Sequence, residues 1–274
     1  MFNRPEGKID LTDPEKSTLR LDAVAFANQT RERLGISLYD PIDIINLVER
    51  DGIYVFQIKD LGCSGFVRVF DDQRVIFVNA SESLGRQHYT IAHEYCHILR
   101  DLKNYTRLKE LPEDEFQYEM KRMEYFAFKF ADYFIMPEAS LFHALTQFDV
   151  RDYGKITLQD ILRIQHHFGV SYLQTIRMLN KAHVLTDLQQ TEFRAYSTKE
   201  DPERLIKVTL EAGFSEALII PLKHSRIPGE YLESLADNIH NRRLTPRKVK
   251  HLESLLGIPL MNLMPEPGQG GTDD

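Results

Sequence analysis

The spacing of apolar positions changes several times along the chain, and each change marks an element. After a polar arm at residues 1–14, a helical period runs from Asp13-Pro14 to Leu34 through Leu19, Val24 and Ala25, with Gly35 as a stop. A second helix is expected from Pro41-Ile42-Asp43-Ile44 to Arg50, closed by Gly52. Ile53 to Ile58, Gly65 to Phe70 and Arg74 to Asn79 then read as short strands, the last two joined by a turn at Asp71-Asp72-Gln73. Helical spacing returns around residues 86–102, preceded by N-cap candidates in Ser81-Glu82-Ser83, and again from Glu119 to Pro137. The second of these has an apolar stripe of Met120, Met123, Ala127, Phe130, Ala131 and Phe134, and a polar face of Lys121, Arg122, Lys129 and Asp132.

A short helix is expected over Ala139 to Phe148, followed by a turn at Tyr153-Gly154. Thr157 to Phe168, Gly169-Val170-Ser171 and Tyr172 to Leu179 form a helix, a tight turn and a helix, in the manner of a helix-turn-helix. Composition shifts at Thr198 to Pro202; beyond it Ala217 to Leu222 is β-like, and Pro228 to His240 and Pro246 to Leu256 read as helices. The tail Glu266 to Asp274 is predicted to be disordered. The expected organisation is residues 1–150 as a core unit, 151–197 as a helical segment and 198–274 as a small C-terminal module.

Chemistry concentrates at His93-Glu94-Tyr95-Cys96-His97. On a helix, residues four apart share a face, so two imidazoles there can grip one zinc ion, and the adjacent glutamate can serve as general base. A helical wheel supports this: Ile91, Ile98, Leu99 and Leu102 cluster around Tyr95, while His93 and His97 fall opposite with Thr90 and Arg86. The helix thus has a core face and a cleft face. A catalytic zinc site needs a third protein ligand. Glu124 sits at the edge of the apolar stripe of the following helix, and a carboxylate turned toward a core is costly unless paired or metal-bound. Glu124 is therefore the expected third ligand, with Glu119 in reserve.

Arg86 either supports the ligands or binds substrate, against the plainer reading of a surface salt bridge. Tyr105 and Tyr133 are candidates for polarising a scissile carbonyl, although nothing in their spacing selects them. His88 lies toward the buried side of the wheel, and the adjacent His166 and His167 point apart and make a poor chelate. Manganese or iron can replace zinc in a set of two histidines and one carboxylate.

Length and composition narrow the class. At 274 residues, with 42% hydrophobic and 27% charged residues, the chain is an ordinary globular protein with room for a sizeable core. Its net charge of −7 argues against a protein that coats nucleic acid. Two cysteines, Cys63 and Cys96, make no disulfide framework, Met1 to Pro5 opens no signal peptide, and no apolar run has the length of a membrane span. A cytoplasmic setting follows as the expectation. Cys96, between the two faces of its helix, reads as a packing residue.

The motifs resemble the ImmA/IrrE family of bacterial and phage metallo-endopeptidases. The resemblance rests on Arg-x-x-aromatic-Thr-x-Ala-His-Glu-x-x-His, seen as Arg86 to His97, and on Glu-x-x-Ala-x-x-Phe-Ala-x-x-x-x-Met-Pro, seen as Glu124 to Pro137, with Asn79 closing a strand. It departs from the family where Leu-Gly often precedes the second histidine and this chain has Tyr95-Cys96. The expected fold is α+β: a zincin-like metallopeptidase core of small β-sheet plus H-E-x-x-H helix, a helix-turn-helix-like extension and a C-terminal module. What the resemblance implies for substrate is a helix-turn-helix transcriptional repressor, cleaved to release stress or mobile-element genes.

The alternatives are a DNA-binding regulator, or a protein-binding one in which the metal is structural. The first would use Gln174, Arg177, Asn180 and Lys181 of the helix-turn-helix-like segment, or the basic cluster Arg242, Arg243, Arg247, Lys248 and Lys250. Against it stand Asp160 and the acidic whole, so packing of that segment on the catalytic unit is the stronger expectation.

Overall fold

Thr12 opens the first helix by a reciprocal cap: its hydroxyl accepts from the Glu15 backbone while the Glu15 carboxylate accepts from the Thr12 N–H. The computed structural model describes residues 10–197 and 201–265; the predicted disordered tail lies outside them. The elements are α1 (Asp13–Arg33), α2 (Ile44–Arg50), β1 (Ile53–Ile58), β2 (Gly65–Phe70), β3 (Gln73–Asn79), α3 (Leu84–Cys96), α4 (Tyr105–Leu108), α5 (Glu113–Ile135) and α6 (Glu138–Gln147). They continue with α7 (Leu158–Phe168), α8 (Tyr172–Lys181), α9 (Asp187–Arg194), α10 (Pro202–Glu211), α11 (Gly229–His240) and α12 (Pro246–Leu256). The architecture is mixed α+β: a three-stranded sheet, a zincin-like helical core and further helices.

The sheet order is β1-β3-β2, with β1 parallel and β2 antiparallel to β3. Val55 and Val67 flank Ile76 in register, and these side chains face the main core. The period of two sends Phe56, Ile58 and Val75 to the other face. There they meet Ile227, Leu235, Ile239, Val249 and Leu256 from the C-terminal helices. Both faces of the sheet are therefore covered. One edge is also engaged, since Gln57 and Arg226 exchange two backbone hydrogen bonds of 2.9 and 2.8 Å.

Helix α5 is the centre of the main core. It packs on α1 through Phe26 against Phe126 and Phe130, with ring centroids 5.9 and 5.5 Å apart. Arg31 is fully buried under α5 and donates to the carbonyls of Phe134, Ser37 and Asp40, at 2.7, 2.6 and 2.5 Å. Burial lowers its pKa to about 10, still charged at neutral pH. Helix α3 lies between α5 and the sheet.

At its start α3 touches the α7–α8 turn with no room to spare. A Cβ added at Gly85 would come within 2.5 Å of the Ser171 backbone nitrogen and 2.6 Å of the Val170 carbonyl carbon. Gly85→Ala should therefore destabilise the fold by about 1–3 kcal/mol through forced displacement, even though alanine is the better helix former. A lowered urea midpoint with an unchanged m-value would show this; an unchanged or raised midpoint would mean that the turn gives way freely.

Several sequence expectations need correction. Helix α5 begins at Glu113 rather than Glu119, with Glu113, Asp114 and Glu115 in its first turn, where acids favour the helix dipole. Ala217 to Leu222 is not a strand: it forms a 3₁₀ turn at Glu216–Leu218 and one isolated bridge, Ser83 to Pro221. Helix α2 starts at Ile44, capped by Asp43, three residues after the expected Pro41. Ser83 holds the N-cap position of α3 without a side-chain capping bond. Asp132, expected on the polar face of α5, is buried. No helix among the described residues is long and apolar enough to cross a membrane.

Candidate metal centre

His93 and His97 lie one turn apart on α3 and at its end, and α5 crosses so that Glu124 meets both. The two Nε2 atoms are 3.2 Å apart. Glu124 places Oε2 3.3 Å from Nε2 of His93 and Oε1 3.4 Å from Nε2 of His97. Ligands held about 2.0–2.1 Å from a tetrahedral ion stand roughly 3.3–3.4 Å from one another, so these separations match the edges of such a site. The donor set, two neutral-capable imidazoles and one carboxylate, fits a borderline divalent metal. All three donors lie within 4.8 Å of one another, close enough to hold one ion.

The imidazoles are held differently. His97 Nδ1 is 2.8 Å from Asp101 Oδ2, and Asp101 is in turn bound by Arg100 at 2.6 Å. Such a carboxylate fixes the ring's orientation and leaves Nε2 directed at the cleft. Burial on its own would lower the pKa of His97, but the hydrogen bonds of Asp101 and Glu124 raise it to about 10. Burial likewise opposes ionisation of Glu124, yet both histidines hold its carboxyl well below the usual carboxylate range. His93 is fixed by packing: its ring centroid is 4.4 Å from that of Phe128, and its buried Nδ1 has no hydrogen-bond partner among the described residues.

Asp101 escaped the sequence reading, although His93, His97 and Asp101 repeat at intervals of four. The backbone changes pitch there, with a π-helical turn over His97–Asp101, a form that recurs at functional sites. Asp101→Asn should lower metal affinity about 10–100-fold. Competition against a chromophoric chelator would measure it, and an affinity equal to that of the wild type would remove Asp101 from the site.

Around these groups is a cleft of about 690 Å³, lined by Arg86, Thr90, His93, Glu94, His97, Glu124 and Phe128, with Gly62 to Phe66 along its rim. Strand β2, along that rim, is the outer strand of the sheet and pairs with no strand but β3 among the described residues. Asn79 donates to the Ser64 carbonyl, and antiparallel alternation then turns the peptide groups of Gly65, Val67 and Val69 away from β3. At Gly65 the strand lies close on α3: a Cβ there would meet Thr90 Cγ2 at 2.6 Å.

Other candidates lie elsewhere. Glu119 pairs with Arg122 at 3.6 Å and lines no part of the cleft. Tyr133 is nine positions beyond Glu124, which on a helix is the opposite side, and packs on the main core. Tyr105 begins α4, and its side chain lies outside the described ones. Arg86 does line the cleft while pairing with Glu82 at 2.8 Å. Tyr89, not singled out from sequence, reaches the cleft wall and donates to the Phe128 carbonyl at 2.9 Å and to Asp132 at 3.2 Å. His88 sits at the boundary with Nδ1 2.7 Å from the Gly169 carbonyl. Cys96 is wholly buried, and burial pushes its thiol pKa well up, as suits a packing residue.

A small sheet laid along an H-E-x-x-H helix, with a second helix crossing behind, defines a zincin-like metallopeptidase. Residues 48–180 match the IrrE N-terminal-like domain of the M78 peptidases, so this part of the chain is a domain of the ImmA/IrrE family. The matched span runs from the end of α2 through α8 and contains every cleft residue named above. Family membership implies a metal, and a peptidase acts on protein substrates. No curated protein matches the chain.

Proposed function

We propose that the protein is a zinc-dependent endopeptidase whose ligands are His93, His97 and Glu124 and whose general base is Glu94. The observation that carries this reading is the meeting of two imidazole Nε2 atoms and the Glu124 carboxylate at 3.2–3.4 Å beside an open strand edge. A divalent ion held there supplies Lewis acidity toward a carbonyl and a water; manganese or iron would suit the same donors. Glu94, next to His93 on the cleft wall, takes the proton of the attacking water and returns it to the leaving amine nitrogen. An extended substrate adds to β2 through the outward peptide groups of Gly65 and Val67, which sets its scissile bond over the histidines. Arg86 stands at the entrance for substrate contacts.

The substrate proposed is a helix-turn-helix transcriptional repressor, cleaved inside the cell to release stress or mobile-element genes. That part rests on the family alone. Residues of α8 bear on the DNA-binding alternative: Gln174, Arg177 and Lys181 are turned inward onto Asp132 instead of outward toward a groove. The test is incubation of the purified protein with a repressor encoded beside its gene and with a pooled peptide library. Cleavage that stops with chelator and returns with zinc is expected. Cleavage indifferent to chelator, or none with the metal restored, would defeat the proposal.

A further inference from the structure

Beside the metal cleft is a second cavity of about 290 Å³, and the two share Arg86, Tyr89 and Phe128 as walls. Its other side is made by α8 and α9, through Gln174, Arg177 and Arg194 among others. Beneath it the charges do not balance. Asp132 of α5, with no side-chain exposure, is approached by Arg177 at 2.5 Å, Lys181 at 2.6 Å and Lys129 at 4.0 Å. One carboxylate thus faces three cations, with Tyr89 and Gln174 as neutral donors.

Lys129 is itself partly shielded from solvent in this group. Burial, and after it the neighbouring Lys181, bring its pKa down to about 8, against the pull of Asp132. At the mouth, Arg86 is neutralised by Glu82, whereas Arg194 is exposed at the end of α9 and forms no ion pair among the described residues. A recessed hollow with surplus positive charge, opening from a peptide cleft, favours an anion.

On the peptidase reading above, we propose that this hollow is a specificity subsite that receives an acidic side chain of the substrate, with Arg194 and Arg177 as its cationic contacts. A peptide lying on β2 and passing over His93 reaches Phe128 and Tyr89, the walls the two cavities have in common. Duplex nucleic acid suits the feature less. Gln174 is only 8% exposed and sits in a concavity, and groove reading needs a protruding helix face.

The test uses fluorescein-labelled peptides in which each position is fixed in turn as Glu, Gln or Lys, with the full-length, metal-loaded protein. At one position Glu should be cleaved about tenfold faster than Gln, the range expected for one partly desolvated charge pair. Arg194→Gln should remove the preference and Arg194→Glu should invert it toward Lys. Cleavage with Glu and Gln equal at every position would overturn the subsite and leave the peptidase standing. Absence of any cleavage would sink the peptidase reading instead. Anisotropy of the same peptides then decides the hollow: Arg194-dependent affinity for Glu peptides upholds it, and equal affinity for Glu and Gln overturns it. Tight binding of a labelled DNA duplex that Arg194→Glu abolishes, with no acid preference among peptides, would also overturn it.

Discussion

Glu94→Gln lowers peptide cleavage by about 10²–10⁴-fold, the usual weight of a positioned general base, with the metal still in place. The substitution keeps the shape of the side chain and removes its ability to take a proton. Glu94 is only 7% exposed and neighbours His93, but the three donors that converge are His93, His97 and Glu124. The metal content of the variant should therefore equal that of the wild type by elemental analysis, and its thermal midpoint should respond equally to chelator. Full retention of cleavage would assign the proton transfer to another group. Loss of the metal along with activity would make Glu94 a ligand.

Glu124→Gln acts on the other half of the site. The carboxylate is what two facing imidazoles share, so its neutral isostere should strip the protein of metal, with affinity falling at least about 100-fold and activity with it. Proton linkage gives this a pH signature. In chelated protein His97 has a folded pKa of about 10 against an ordinary value of 6.5. Its contribution to stability is fully present below about 6.5 and is lost as pH rises through about 10. Glu124 is depressed, so its contribution is present above about 4.5 and is lost as pH falls through its lowered value. Both hold between about pH 4.5 and 6.5.

Metal binding needs the His97 proton gone, so wild-type affinity should climb about tenfold per pH unit below about pH 10. Glu124→Gln removes the carboxylate that helps hold this proton and should flatten the slope. Competition titrations across pH 6–8 would measure both. A pH-independent affinity in the wild type would show that no proton is displaced.

The parts of the fold legible from sequence are those where one local pattern has one reading. Alternation along Gly65 to Phe70 and Arg74 to Asn79 located two strands to within a residue. The wheel separated His93 and His97 from Tyr95 because α3 has a real core face and a real cleft face. Glu124 stood out because an acid beside an apolar stripe asks for a partner, and both histidines supply one. Asp132 carries no such sign in the sequence. It looked like one more charge on a polar face, and only the folding of α8 over α5 buries it beneath Arg177 and Lys181. Ala217 to Leu222 misled for a different reason: a short apolar run does not distinguish strand from turn, and Pro221 cannot donate to a ladder. The acids of residues 113–115 are the helix-start signal of α5, ahead of the expected start at Glu119.

The crossing of the C-terminal segment over β1 bears on how the molecule can be divided. The family match ends at residue 180, yet Phe56, Ile58 and Val75 are shielded by helices that begin at residue 229, and Arg226 completes the bonding of Gln57. A fragment trimmed to the matched span would bare an oily sheet surface together with an unsealed flank, inviting self-association through strands other than the one facing the histidines. Among the described residues the terminal helices act as a lining that leaves one strand margin exposed, the one beside the cleft of His93 and His97.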